Sequence, residues 1–285
     1  MTMAMRVLRH SWVSSVLILA TACGGSKMAS TGGYTSPSSS APSGDSVASS
    51  YGEPSHAAVE RPGGYVAEPV PDRPGLGTSW GEQVSAPISY APFQRASTSA
   101  WAEVALHYND AAGVQAHASY LGARAAPLEV MAGDGALSIA LVDDVGRTLP
   151  GFTAQGRSLI MGEDGARYRI VVRNATTARF EVVASVDGLD VIDGRPADPN
   201  RRGYIVDPHD TLVIDGFRTS DDAVAAFRFG KVAESYAAQT SGDRNVGVVG
   251  LAIFSERGAT WTVGELQARD TADPFPQRGY ATPPR

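Results

Sequence analysis

The stretch Arg167–Gly194, RYRIVVRNATTARFEVVASVDGLDVIDG, decides how the chain reads. Tyr168, Ile170 and Val172 fall on one phase of a two-residue period, and Arg167, Arg169 and Arg173 on the other. After NATTA the alternation resumes, with Phe180, Val182, Ala184 and Val186 against Glu181 and Ser185. Successive side chains of an extended strand point to opposite faces, so this period marks half-buried strands. The short polar link between the two runs reads as the turn of an antiparallel hairpin. Asp187-Gly188 and Asp193-Gly194 then reverse the chain, because glycine takes a positive φ without steric cost.

The same signals recur on both sides. Val104, Leu106 and Tyr108, then Val114, Ala116, Ala118 and Tyr120, predict a first hairpin over residues 100–120. LSIALV (Leu137–Val142) reads as a strand, as do Gly203–Val206 and Thr211–Ile214 around the turn DPHD. AVAAFRFG alternates with Phe227 and Phe229 against Arg228, and KVAESYAAQ carries the residues of a short helix. NVGVVGLAIFS is apolar on both phases and predicts a central strand covered on both sides; Trp261 and Val263 predict a last one. Asp134, Asp164, Asp187, Asp193 and Asp215 each precede a glycine. Many short strands with such reversals, and no long helical period, predict an all-β, antiparallel β-sandwich with at most one or two short helices.

The N-terminus reads differently. Arg6 and Arg9 precede a short apolar run, WVSSVLILA, and then Ala20, Thr21, Ala22 and Cys23. The run falls short of the about 20 residues that span a bilayer and fits an export signal. Small residues before a cysteine resemble the lipobox of bacterial lipoproteins, though Ala20 stands where that family usually has Leu. The resemblance implies a signal peptide over residues 1–22, cleavage before Cys23 and acylation (palmitate among the chains) at Cys23. Gly24 rather than Asp after the cysteine implies the outer membrane of a Gram-negative bacterium. Cys23 is also the single cysteine, so an internal disulfide is excluded.

Residues 23–74 are rich in Gly, Ser and Pro and carry no apolar period. Such a segment cannot bury enough surface to offset its chain entropy, so it reads as a disordered tether. Some 50 residues of flexible coil reach about 40 Å. Residues 75–267 then form the sandwich domain, and the Pro-rich residues 268–285 a disordered tail. The words GLGTSWGE (Gly75–Glu82), HYNDAAG (His107–Gly113), SVDGLDVIDG (Ser185–Gly194) and NVGVVGLAIF (Asn245–Phe254), with RGYIVDP, IDGFRTS, AAFRF and SYAAQ between the last two, are similar to a family of bacterial exported proteins without an assigned function. That resemblance implies one domain from Gly75 and places no catalytic residue.

The chemistry is sparse. The chain carries 24 Lys and Arg against 30 Asp and Glu, a net charge of −6. Removing the signal takes Arg6 and Arg9 and no acid, so the balance moves further negative. This excludes the basic footprint of nucleic-acid binding, and leaves membrane contact to the lipid. Gly77-Thr78-Ser79-Trp80-Gly81 fits G-x-S-x-G, but the prolines before it supply no buried strand, and a nucleophile elbow needs one. His107 and His117 share the polar phase and could meet across the first hairpin as a metal pair, without a third ligand; His209 sits on a turn. Asp187, Asp190 and Asp193 form an oxygen-rich loop and are weak calcium candidates; the EF-hand spacing is absent, and turn geometry explains two of them. Asn174-Ala175-Thr176 matches a glycosylation sequon. Phe217, Phe227, Phe229 and Tyr236 near Arg218 could form a binding surface or core. No catalytic residue and no cofactor are expected. The expectation is a lipid-anchored envelope module, non-enzymatic, with a protein or glycan partner. The alternative is an envelope glycan hydrolase using loop carboxylates, which a cleft holding two of them ~5–10 Å apart would favour.

Overall fold

The structure is a computed structural model, and it describes residues 2–7 and 75–261. Cys23, the tether over 23–74, Val263 and the tail from 268 lie outside the described residues. In chain order the strands are β1 (Thr2–Val7), β2 (Leu76–Ser85), β3 (Ile88–Phe93), β4 (Ala102–Asn109), β5 (Ala126–Pro127), β6 (Val130–Ala132), β7 (Leu137–Val142), β8 (Pro150–Ala154) and β9 (Arg157–Met161). There follow β10 (Arg167–Asn174), β11 (Phe180–Val186), β12 (Leu189–Asp190), β13 (Tyr204–Val206), β14 (Thr211–Ile214), β15 (Gly216–Arg218), β16 (Ala223–Lys231) and β17 (Val248–Ser255). Two short helices join them, α1 (Ala111–Leu121) after β4 and α2 (Tyr236–Thr240) after β16.

The protein is an all-β sandwich of two mainly antiparallel sheets. A ten-stranded sheet runs β3-β1-β13-β11-β17-β4-β9-β8-β5, with β12 on β11. A seven-stranded sheet runs β15-β16-β10-β7-β6, with β14 on β10 and β2 on β16. The β1–β13 and β4–β9 pairs are parallel. The two inner faces meet in one core. Tyr168, Ile170 and Val172 of β10 and Leu137, Ile139 and Leu141 of β7 enter it from one side. Phe180, Val182 and Val186 of β11 and Val249, Leu251 and Ile253 of β17 enter from the other. At one end the Tyr168 ring stacks on Phe229 at 4.3 Å and on Phe227 at 5.3 Å. Offset aromatic pairs of this kind add stabilisation beyond the area they bury.

The central stretch is two strands, but they do not form a hairpin. β10 pairs with β7, β14 and β16, whereas β11 pairs with β17, β13 and β12. The link between them is a buried corner that carries the chain from one sheet to the other. Asn174 Oδ1 accepts from the Thr176 amide and hydroxyl, both at 2.9 Å, and its Nδ2 donates to the carbonyls of Ala178 and Asp207. Asn174 and Thr176 are buried, so the sequon is a structural corner. An Asn side chain that bonds its own backbone offers the chain a turn other than the hairpin type.

The first hairpin is also corrected. β4 is a strand, but residues 111–121 are the helix α1. Asp110 caps its start by accepting from the Gly113 amide at 2.7 Å, and Gly122 closes it at φ 64. Val114 and Ala118, four apart, are the buried face. The alternation of small residues there had no sheet to serve. β17 is central as expected, lying between β11 and β4, but only one of its faces is buried throughout. Trp261 is not in a strand; its ring packs on Trp101 and Phe180.

β1 comes from the segment read as the basic end of an export signal, and it belongs to the same compact unit as residues 75–261. It runs antiparallel to β3 over six residue pairs and touches β13 in parallel at Met5–Tyr204.

Candidate functional site

The three loop acids part company. Asp187 and Gly188 form the two-residue turn between β11 and β12, with φ values of 54° and 80°. This backbone turns the Asp187 carboxylate inward, where it is buried. It accepts from the Thr78 amide at 2.7 Å, the Tyr108 hydroxyl at 2.6 Å and the Gly247 amide at 2.9 Å. Thr78 Oγ1 in turn bonds the hydroxyls of Tyr108 and Tyr168. Burial pushes the Asp187 carboxyl up from its ordinary range, against the pull of these donors. The network ties β2 and β4 to the β11–β12 turn, and all four of its side chains are buried.

Asp190 accepts from the Ile192 and Asp193 amides through Oδ1 and so holds the next turn; its Oδ2 is buried without a hydrogen bond. Burial raises its carboxyl too. Asp193 points outward and pairs with Arg201 at 2.5 Å. The three carboxylates therefore serve a core network, a turn and a surface ion pair. Among the described residues no three His, Cys, Asp or Glu side chains are placed to hold a metal ion. The histidine pair is not assembled across a hairpin: His107 lies on β4, and His117 lies on α1 with Nδ1 2.8 Å from the Gly113 carbonyl. His209 occupies its turn at φ 53.

Ser79 of the G-x-S-x-G match lies within the antiparallel strand β2, and its hydroxyl donates to the Glu234 carbonyl. No strained strand-to-helix turn presents it. Phe217, Phe227 and Phe229 are core. Trp80, by contrast, is 49% exposed and lies 4.8 Å from the Tyr236 ring and 6.0 Å from Phe217. It alternates outward on β2, a placement the sequence shows only once the strand is known.

Glu181 is a third buried acid. Its side chain accepts from Arg95 Nε and from the Gly203 amide, each at 2.7 Å. The Arg95 guanidinium lies 3.6 Å over the Phe254 ring and also donates to the carbonyls of Pro199 and Arg201. This pins the end of β3 to the ten-stranded sheet.

A cleft of ≈ 1220 Å³ opens on the surface of the sandwich. It lies between the loops Asp143–Pro150 and Met161–Arg167, with Phe229, Leu149 and Pro150 among its apolar lining. Asp143, Asp144, Glu163 and Asp164 line it together with Arg147, Arg167 and Arg228. None of these was singled out by sequence as a site residue. The acids are partly spoken for. Asp143 pairs with Arg147 at 2.7 Å and Asp144 with Arg167 at 3.7 Å. Arg228 pairs with Glu82 at 2.7 Å and donates to the Gly165 carbonyl. Desolvation raises the Asp143 carboxyl, but hydrogen bonds from Arg147 outweigh it and leave the group below its ordinary range. A general acid needs the opposite shift.

The chain matches no protein-family model, no curated protein and no solved structure.

Proposed function

We propose that the protein is a lipid-anchored component of a bacterial envelope whose sandwich is a non-enzymatic binding module, held to the outer membrane through Cys23. The anchor rests on the sequence around Cys23. The binding role rests on the cleft, and above all on one observation: Asp143 and Asp144 face arginines, not each other. Alternating charge over an apolar floor suits recognition of a polar envelope partner, protein or glycan, by hydrogen bonds and ion pairs. Replacing Cys23 by Ser is expected to release the protein from membranes with its head still folded by circular dichroism. A Cys23→Ser protein that stays acylated and membrane-bound overturns the anchor.

The hydrolase reading keeps one observation in its favour, the five acids Asp110, Asp143, Asp144, Glu163 and Asp164 gathered in one cleft. Glycan turnover by the purified protein, abolished in Asp144→Asn or Glu163→Gln, would replace the binding role with that reading.

A further inference from the structure

The seat of β1 is a slot one strand wide. β3 is fastened at both ends without help from β1. At its start the Ala86 and Ile88 amides donate to the carbonyls of Asp222 and Asp221, and the Tyr90 hydroxyl to the Asp221 carboxylate. Beyond its end the Ala96 amide donates to Ser255, the Arg257 amide to Gln94, and Arg95 to buried Glu181. β13 is fixed from the other side by β11, and Gly203 before it lies so close that a Cβ would collide with the Val182 carbonyl. The space between β3 and β13 is thus about two strand spacings, roughly 10 Å, and takes one strand.

What fills it is chemically specific. Ala4 is fully buried against Ala91, Phe93 and Ile205 on the outer face. Met5 is fully buried in the main core, and its amide donates to the Gly203 carbonyl at 3.1 Å. Arg6 reaches Asp207 at 2.7 Å.

We infer that this slot is a strand-accepting site. In the structure the chain's own first residues fill it. Once the leader is cut, it takes an extended segment of a partner polypeptide that carries a small residue, an unbranched apolar residue and a basic residue in that order. The inference rests on the proposed cleavage before Cys23. Removing β1 bares the unpaired edges of β3 and β13 and an empty apolar seat, a template for strand addition. The register dictates small, then large apolar. Asp207 on the rim supplies the charge that chooses the third residue.

The probe is a labelled synthetic peptide of residues 1–9, MTMAMRVLR. The target is the acylated mature protein in detergent, its N-terminus read by intact mass. Saturable binding is expected, with amides of β3 and β13 gaining hydrogen-exchange protection. Met5→Asp or Ala4→Trp in the peptide should cost at least tenfold in affinity. Asp207→Lys in the protein should weaken the native peptide and favour an Arg6→Glu peptide. A full-length chain retained from Met1 should not bind. A mature protein that ignores the peptide and already protects β3 and β13 overturns the inference, because its own tether then fills the slot. A peptide-sensitive dimer overturns it in favour of a second copy. A mass that begins at the first residues shows that the cleavage reading has failed instead.

Discussion

Asp187 shows what one side chain can do here. Its carboxylate is the acceptor for two backbone amides and a tyrosine hydroxyl drawn from three separate segments. Asp187→Asn keeps a residue that tolerates φ 54 and removes one acceptor oxygen, so the loss isolates the hydrogen bonds. It should cost about 1–3 kcal/mol, read by urea unfolding. The pH dependence has a definite sign. Because burial raises this carboxyl in the folded protein, the fold holds the proton more tightly than the unfolded chain. The associated stability is fully present below about pH 4 and is withdrawn as pH rises through the folded-state value. The Asn variant has no such proton, so its deficit should be greatest in acid and shrink toward neutrality. The turn itself was legible in Asp187-Gly188. The partners were not, because Tyr108 and Thr78 lie 79 and 109 residues away, and periodicity carries no information about which distant hydroxyl a carboxylate meets.

At the level of elements, local period told strand from loop well and strand from helix less well. The alternation in β10 matches its burial, whereas β11 and β16 are strands as expected but are buried on both phases, save for Ser185 in one and Arg228 and Lys231 in the other. Residues 114–120 alternate by the accident of alanines, and the better signals were Asp110 at the start and Gly122 past the end. Those signals can be weighed. Asp110→Ala should cost about 1 kcal/mol as a lost helix cap. Gly122→Ala should cost about as much, because φ 64 suits glycine. Both are read by thermal unfolding, with the loss confined to α1 amides in hydrogen exchange. The β10–β11 link failed for another reason. A polar five-residue link looks the same whether it turns back within a sheet or crosses to the next, and only the burial of Asn174 and Thr176 separates the two.

For the molecule as a whole, composition and reversals sufficed for a sandwich, because two apolar faces have to cover each other. Strand order was not legible: β1 and β3, 81 or more residues apart along the chain, lie side by side, and no local signal encodes that. The N-terminal seat gives a global prediction. A chain made from residue 24 should unfold at lower urea than one made from Met1, by about 2–5 kcal/mol, since emptying a buried methionine site costs that much. Equal midpoints would mean that something has refilled the seat. Pairing across the chain has one more effect. β2 comes early in the chain yet finds its partner in β16, from Leu76–Lys231 to Ser85–Ala223. A polypeptide leaving the ribosome therefore extrudes Leu76–Ser85 long before its mate is synthesised. Closure of the sandwich waits until β16 and β17 have been made, and until then the nascent body is still loose enough to be threaded through a narrow pore.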